Sequence, residues 1–218
     1  SDNNKQIGHI SLSNPIINLS EIYKDGLLKK ISIDETDFNE ILYERKYLIE
    51  QFGEYSKINK DCANKSIISS DDYFNILDEL SKENQYLEDS DSKKFIAFTG
   101  FRAIEYLLKN SKIKKNYTVN FIPVIYPNLR PKKKDEEFSI NDFYSTIINR
   151  SNRMKRLMEI KAPEVILKNE RIRLQEGFNK LDSVFENNLD KSEINSIKKI
   201  LLIKDLLFEL NEISNTKC

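Results

Sequence analysis

Apolar positions in the second half of the chain fall into two helical stripes. Ile140, Tyr144, Ile147, Ser151, Met154 and Met158 recur at alternating spacings of four and three, the seam of a helix that packs on another helix. Leu167, Arg171, Leu174, Phe178, Leu181 and Phe185 repeat the spacing, with Ser151 and Arg171 as the polar breaks in the two stripes. The pattern predicts helices over 139–160 and 163–186, separated by Lys161-Ala162. Helices joined by so short a turn lie antiparallel as a hairpin. Ser139, with Asp142 three residues on, fits an N-cap. Pro163 suits a first helical turn, where its missing N–H costs nothing. Ahead of the pair, 121–131 is extended and punctuated by Pro123, Pro127 and Pro131, and 132–138 is a short charged loop.

The first half predicts smaller elements. Ser1 to Gln6 is polar, and the ends of chains fray. Gly8 to Ile17 alternates and carries Pro15, so it reads as a strand. Leu19 to Ile31 reads as a short helix broken near Gly26. Asp34 to Phe38 is acidic and turn-like. From Phe38 to Ile49 the spacing fits a helix turning into a strand and leaves the two undecided. Ser69 or Ser70 caps a helix with Asp71 and Asp72 at its positive end and Tyr73-Phe74, Ile76-Leu77 and Leu80 as its apolar face. Lys93 to Lys109 predicts another helix, buried through Phe95-Ile96, Phe98, Phe101, Ile104 and Leu107-Leu108. Gly100 costs a helix about 1 kcal/mol relative to Ala, so with Ala103 it implies close packing. Asp190, with Glu193 three residues on, caps a last helix of Ile194, Ile197, Leu201, Leu207 and Leu210. It is apolar all round at Ile200 to Ile203 and is expected to pack on two sides. The fold class is mainly α with a few short strands (α+β).

Composition narrows this picture. At 218 residues the chain suits one or two domains with a real core. Only five Gly and five Pro argue against a β-sandwich or a disordered chain. Zero net charge conceals a division. Glu21 to Asp91 holds 18 acidic and 9 basic residues, whereas Lys109 to Lys134 holds eight basic and no acidic ones. Segregated signs allow one face to meet nucleic acid and another a partner. Between Asn149 and Arg173 eight Lys or Arg stand against three Glu. That basic stretch is either a solvated helical face or an end that holds a partner. Cys62 and Cys218 match no CxxC pattern, which suits free thiols in a reducing compartment. The lone His9 reads as structural rather than as a ligand. The longest aliphatic run, Ile200 to Ile203, is far too short for a membrane span. No clustered Asp offers a two-metal site, no Gly-rich loop a phosphate cradle, and no nucleophile has an activating partner. The chain is expected to bind rather than catalyse.

The hairpin carries a resemblance. Asn141-Asp142-Phe143-Tyr144, Ile147-Ile148-Asn149-Arg150-Ser151-Asn152-Arg153-Met154-Lys155-Arg156-Leu157, Ala162-Pro163-Glu164-Val165-Ile166, Asn169-Glu170 and Leu174-Gln175-Glu176 resemble the clamp-helix hairpin of the β′ subunit, the largest subunit of bacterial-type multisubunit DNA-dependent RNA polymerase. Pro123-Val124-Ile125-Tyr126-Pro127-Asn128-Leu129-Arg130-Pro131 is similar to that family's strand into the lid, a loop that separates RNA from template DNA. Gly8-His9-Ile10 with Pro15 resembles the opening of the clamp core. Ile41 to Ile49 and Phe98 to Leu108 are similar to later parts of it. The sequence departs from the family in places. The zinc cysteines before Gly8 are absent. A helical insertion before the Pro-Val strand is cut to a few residues. The lid core is replaced by Lys134-Asp135-Glu136-Glu137-Phe138. The aspartate triad for magnesium does not follow.

The resemblance implies a division into clamp core (1–131 and 187–218), shortened lid-like loop (132–138) and hairpin (139–186). It implies a non-catalytic part of a nucleotidyltransferase, with no metal in this chain because the family's Mg2+ and Zn2+ sites lie outside it. The implied partners are a β-like subunit, the C-terminal part of β′, a σ-like initiation factor, DNA and the RNA–DNA hybrid, with no membrane. Asn141, Asn149, Arg150, Arg153, Arg156, Leu157, Ile166, Glu170 and Gln175 fall on family positions that face σ. Arg130, Lys132, Lys133 and Lys134 are expected near nucleic acid. The implied location is the cytoplasm of a bacterial or phage-infected cell, with a plastid-type organelle as alternative. A free-standing σ-binding regulator and a helical scaffold without a transcription role stay open as competing readings.

Overall fold

The computed structural model describes residues 8–53, 55, 66–83, 94–111, 113–124 and 140–188, with side chains to 184. The chain divides into two compact units, residues 17–117 and residues 1–16 with 118–218. The class is mainly α with a few short strands, as expected.

The 17–117 unit holds helices α1 (Leu19–Lys24), α2 (Leu27–Lys30), α3 (Glu35–Leu42), α4 (Ser70–Glu83) and α5 (Gly100–Asn110). Its sheet is β2 (Lys46–Gln51) between β3 (Ile67–Ser69) and β4 (Ile96–Phe98), both antiparallel to β2. Caps start the helices. The Asn18 side chain accepts from the Glu21 N–H, Asp34 from the Asp37 N–H at 2.8 Å, and Ser69 Oγ from the Asp72 N–H at 3.0 Å. The Asp34 to Phe38 stretch is thus the start of α3 and not a turn. The acidic residues there complement the helix's positive end. The undecided stretch resolves into helix to Leu42 and strand from Lys46. The expected helix over 93–109 is strand first. β4 pairs with β2, Leu48 opposite Phe98, and the helix begins at Gly100.

Gly100 lies at φ +63°, and a Cβ there would sit 2.9 Å from Glu44 Cγ. Its role is a left-handed entry beside a buried carboxylate side chain, where the sequence implied close packing of helices. Ile17, Ile22, Leu27, Phe38, Ile41, Leu42, Leu48, Ala103, Ile104 and Tyr117 form the larger core of this unit. Ile49, Tyr55, Ile68, Ile76 and Leu80 form a smaller one, beside which the Tyr47 and Tyr73 rings stack 3.8 Å apart.

In the other unit, β1 (His9–Ile17) pairs with β5 (Thr118–Pro123), and α6 (Ile140–Glu159) packs on α7 (Glu164–Asn188). Both helices start and end within two residues of the expected positions. Ile10 and Ile16 from β1, Ile122 from β5, Ile140, Tyr144 and Ile147 from α6, and Leu174, Phe178 and Leu181 from α7 share one core. Arg150 meets Glu170 and Ile147 lies 3.7 Å from where a Cβ on Gly177 would stand. Earlier residues of α6 therefore match later residues of α7, and the hairpin is antiparallel. The 189–218 helix and the Ser139 cap lie outside the described residues.

Candidate functional site

The hairpin differs sharply along its length. Its strand-facing part is a core, and its turn end is not. Ile140, Tyr144, Ile147, Ser151 and Met154 are buried at alternating spacings of four and three, and Met158, next in the series, is exposed. Ser151 looked like a defect in the stripe. It is the residue that ties β1 to α6. The Ser13 N–H donates to Ser151 Oγ at 2.8 Å, and the Ser13 hydroxyl donates to the Ser151 carbonyl at 2.7 Å. Tyr144 does the same for β5, its hydroxyl donating to the Pro123 carbonyl at 3.1 Å. Buried polar groups are tolerated where such partners exist.

On α7 the expected polar break, Arg171, is only half-buried and pairs along its own helix with Glu164. The buried charged residue in the described part of α7 is Glu170, one position earlier and 2% exposed. Its carboxylate is shared between two arginines of α6, with Arg150 Nη1 at 3.2 Å from one oxygen and Arg153 Nε at 3.1 Å from the other. The turn itself closes with left-handed Lys161 at φ 52°. The Lys161 N–H donates to the Met158 carbonyl and the Ala162 N–H to the Leu157 carbonyl, the paired bonds of a Schellman end.

Beyond Met154 most side chains around the turn face solvent, with Leu157 half-buried. Ile160 is 72% and Val165 65% exposed, with Met158 and Ile166 also exposed. Arg153, Lys155, Arg156 and Lys161, from the same stretch, are exposed as well, as are Glu159 and Glu164. Exposed apolar groups in a stretch with more exposed cations than carboxylates offer a surface that can bury hydrophobic area while pairing with acidic groups on a partner.

The expected σ-facing residues therefore occupy three settings. Arg153, Arg156 and Ile166 are exposed and Arg150 and Leu157 half-buried, all within the turn half of the hairpin. Asn141 and Asn149 are exposed, with Asn141 in the first turn of α6, about 24 Å along the helix from Leu157. Glu170 and Gln175 are buried, and Gln175 donates to Asn179 Oδ1 at 2.9 Å. The sequence reading passed over Ile160 and Val165. Their signal was an apolar residue on each side of a tight turn, off both seams. Arg130, Lys132, Lys133 and Lys134 lie outside the described residues. Among the described residues no group of three or more His, Cys, Asp or Glu could hold a metal ion, and no helix is long and apolar enough to cross a membrane.

No family profile matches the chain. Individual proteins do. DNA-directed RNA polymerase subunit beta′ of Bacteroides thetaiotaomicron is 33% identical over 240 residues, which takes in 87% of this chain and 16% of that protein. The same subunit of Phocaeicola vulgatus is 34% identical over 241 residues. That of Salinibacter ruber is 28% identical over 257, with 93% of this chain and 17% of the relative covered. The chain thus spans about one sixth of the length of the curated relatives it matches. The aligned span of 240 positions exceeds the 218 residues of the whole chain, so the relatives carry insertions that it lacks. By sequence, this chain is a divergent relative of a segment of DNA-directed RNA polymerase subunit β′.

Proposed function

We propose that the chain serves transcription as a non-catalytic clamp portion of a β′-like subunit. In this reading it works within a multisubunit polymerase beside a β-like subunit and the C-terminal part of β′, and helps hold DNA and the RNA–DNA hybrid. The turn end of its hairpin docks a σ-like initiation factor. The observation that carries the docking role is the exposure of Met158, Ile160, Val165 and Ile166 in the turn half of the hairpin, a stretch that also exposes Arg153, Lys155, Arg156 and Lys161 against Glu159 and Glu164. A solvated helical face needs no apolar centre. An interface does, and arginine at its edge pairs with carboxylates bidentately. Contacts to nucleic acid would be made mainly to the phosphate backbone and would weaken as salt rises.

The test is co-purification of the tagged chain from cells that hold its native partners, beside a variant with exposed Lys155, Arg156 and Lys161 all changed to Glu, which leaves the Glu170 pairs intact. The chain is expected to recover β-like and β′ C-terminal subunits together with a σ-like factor. The triple variant should lose the σ-like factor by at least about tenfold while circular dichroism stays unchanged. Recovery of the σ-like factor without core subunits would favour the free-standing regulator. Recovery of neither would reject both.

A further inference from the structure

Glu170 falls on a position expected to face the initiation factor, yet it is buried beneath the two arginines that do reach the surface. We infer that Glu170 is a positioning residue: it never touches the partner and holds Arg150 and Arg153 in the geometry that does. This rests on the docking role proposed above.

Arg150 and Arg153 are three residues apart on α6, so their guanidinium groups share one face and repel each other. Glu170 reaches across from α7 and gives one carboxylate oxygen to each. The arrangement leaves donors over. Arg150 binds through Nη1 and Arg153 through Nε, and a guanidinium has five N–H donors in a fixed fork. Side-chain exposures of 35% and 59% put the remaining donors within reach of solvent, whereas Glu170 at 2% has no surface to offer. Two long flexible side chains are thereby fixed before a partner arrives, so less conformational freedom is lost on docking. One carboxylate against two guanidiniums leaves a net positive charge, which suits an acidic surface on the partner.

The experiment uses the full chain, with purified primary σ factor of Bacteroides thetaiotaomicron as probe. Affinity is measured for wild type, Glu170→Gln, Arg150→Gln/Arg153→Gln, and the triple combination. Glu170→Gln keeps the side chain's size and removes its charge. It should weaken σ binding about fivefold to tenfold, and the arginine pair should weaken it at least about tenfold. In the arginine-less background, adding Glu170→Gln should change affinity by less than about twofold, because the groups it acts through are gone. A full additional loss there would mean that Glu170 contacts the partner directly and would overturn the inference. So would an unchanged affinity for Glu170→Gln alone, whatever happens to thermal stability.

A second measurement needs no partner. Phenylglyoxal modification of Arg150 and Arg153, followed by mass spectrometry, should run several-fold faster in Glu170→Gln than in wild type. Equal rates would show that Glu170 does not restrain the arginines. If the wild-type chain fails to bind σ at all, the docking role itself falls, and the modification rates still decide whether Glu170 holds the pair.

Discussion

Ser151 illustrates how much one side chain can decide. Its hydroxyl accepts from the Ser13 N–H, and that amide sits in a strand that meets α6 at this point. A hydrophobic residue there would satisfy the heptad and strand the amide. Ser151→Ala should therefore cost about 0.5–1.5 kcal/mol, the net worth of a hydrogen bond to the half-buried Ser13 amide. Urea denaturation of the two proteins measures it. A cost below a few tenths of a kcal/mol would mean that water replaces the hydroxyl. Gly100 is the other residue whose role only coordinates reveal, since its left-handed backbone and the nearby Glu44 side chain are both set by distant parts of the chain.

Among the elements, the hairpin turn is where local strain and function meet. Lys161 adopts the left-handed conformation that glycine usually supplies at a helix end. For a residue with a Cβ that conformation costs roughly 1–2 kcal/mol. Lys161→Gly should thus stabilise the hairpin by up to about 1 kcal/mol, part of the gain being offset by the entropy of a freer unfolded chain. Thermal or urea unfolding followed by circular dichroism reads this directly. The same change removes one exposed cation from the turn end, so affinity for an acidic partner should fall slightly as stability rises. A variant that gained on both counts would argue against an electrostatic role for that position. The exposed Ile160 and Val165 flank this turn, where apolar exposure does nothing for folding.

Across the molecule, charge is held in local clasps as well as in segregated stretches. Lys115 and then Tyr117 donate to Asp25, at 2.5 and 2.8 Å, and hold its carboxyl below its ordinary value. Lys115 is raised in turn, chiefly by Asp25, and Tyr117 is raised by burial and then by Asp25. A depressed carboxyl adds stability above its unfolded value and loses it as pH falls through the folded one. A raised lysine or tyrosine adds stability below its unfolded value and loses it as pH rises through the folded one. Asp25→Asn should therefore lower the unfolding midpoint by a constant amount near neutrality. That difference should narrow as pH drops below about 4 or climbs past about 10. Denaturant midpoints measured across that range supply the check. A difference independent of pH would mean that the clasp is not electrostatic.

What the chain alone determined is whatever depends on nearby residues. The 3.6-residue period and the tight turn placed α6 and α7, and Ser69 marks a helix start that its neighbours announce, whereas the Asp34 cap read as part of a turn until the fold showed α3. The long ordered motifs of the hairpin were enough to name the β′ relationship, because many residue identities in fixed order carry more information than composition. Only the fold decided the rest. Ile96–Phe98 became a strand because β2 offers it a ladder, and local spacing is silent on that partner. Glu170 rather than Arg171 turned inward because the two arginines that neutralise it stand on the facing helix, some twenty residues away in sequence. Burial of a charge is settled by what lies opposite it in space, and a linear string holds no record of which residues those are.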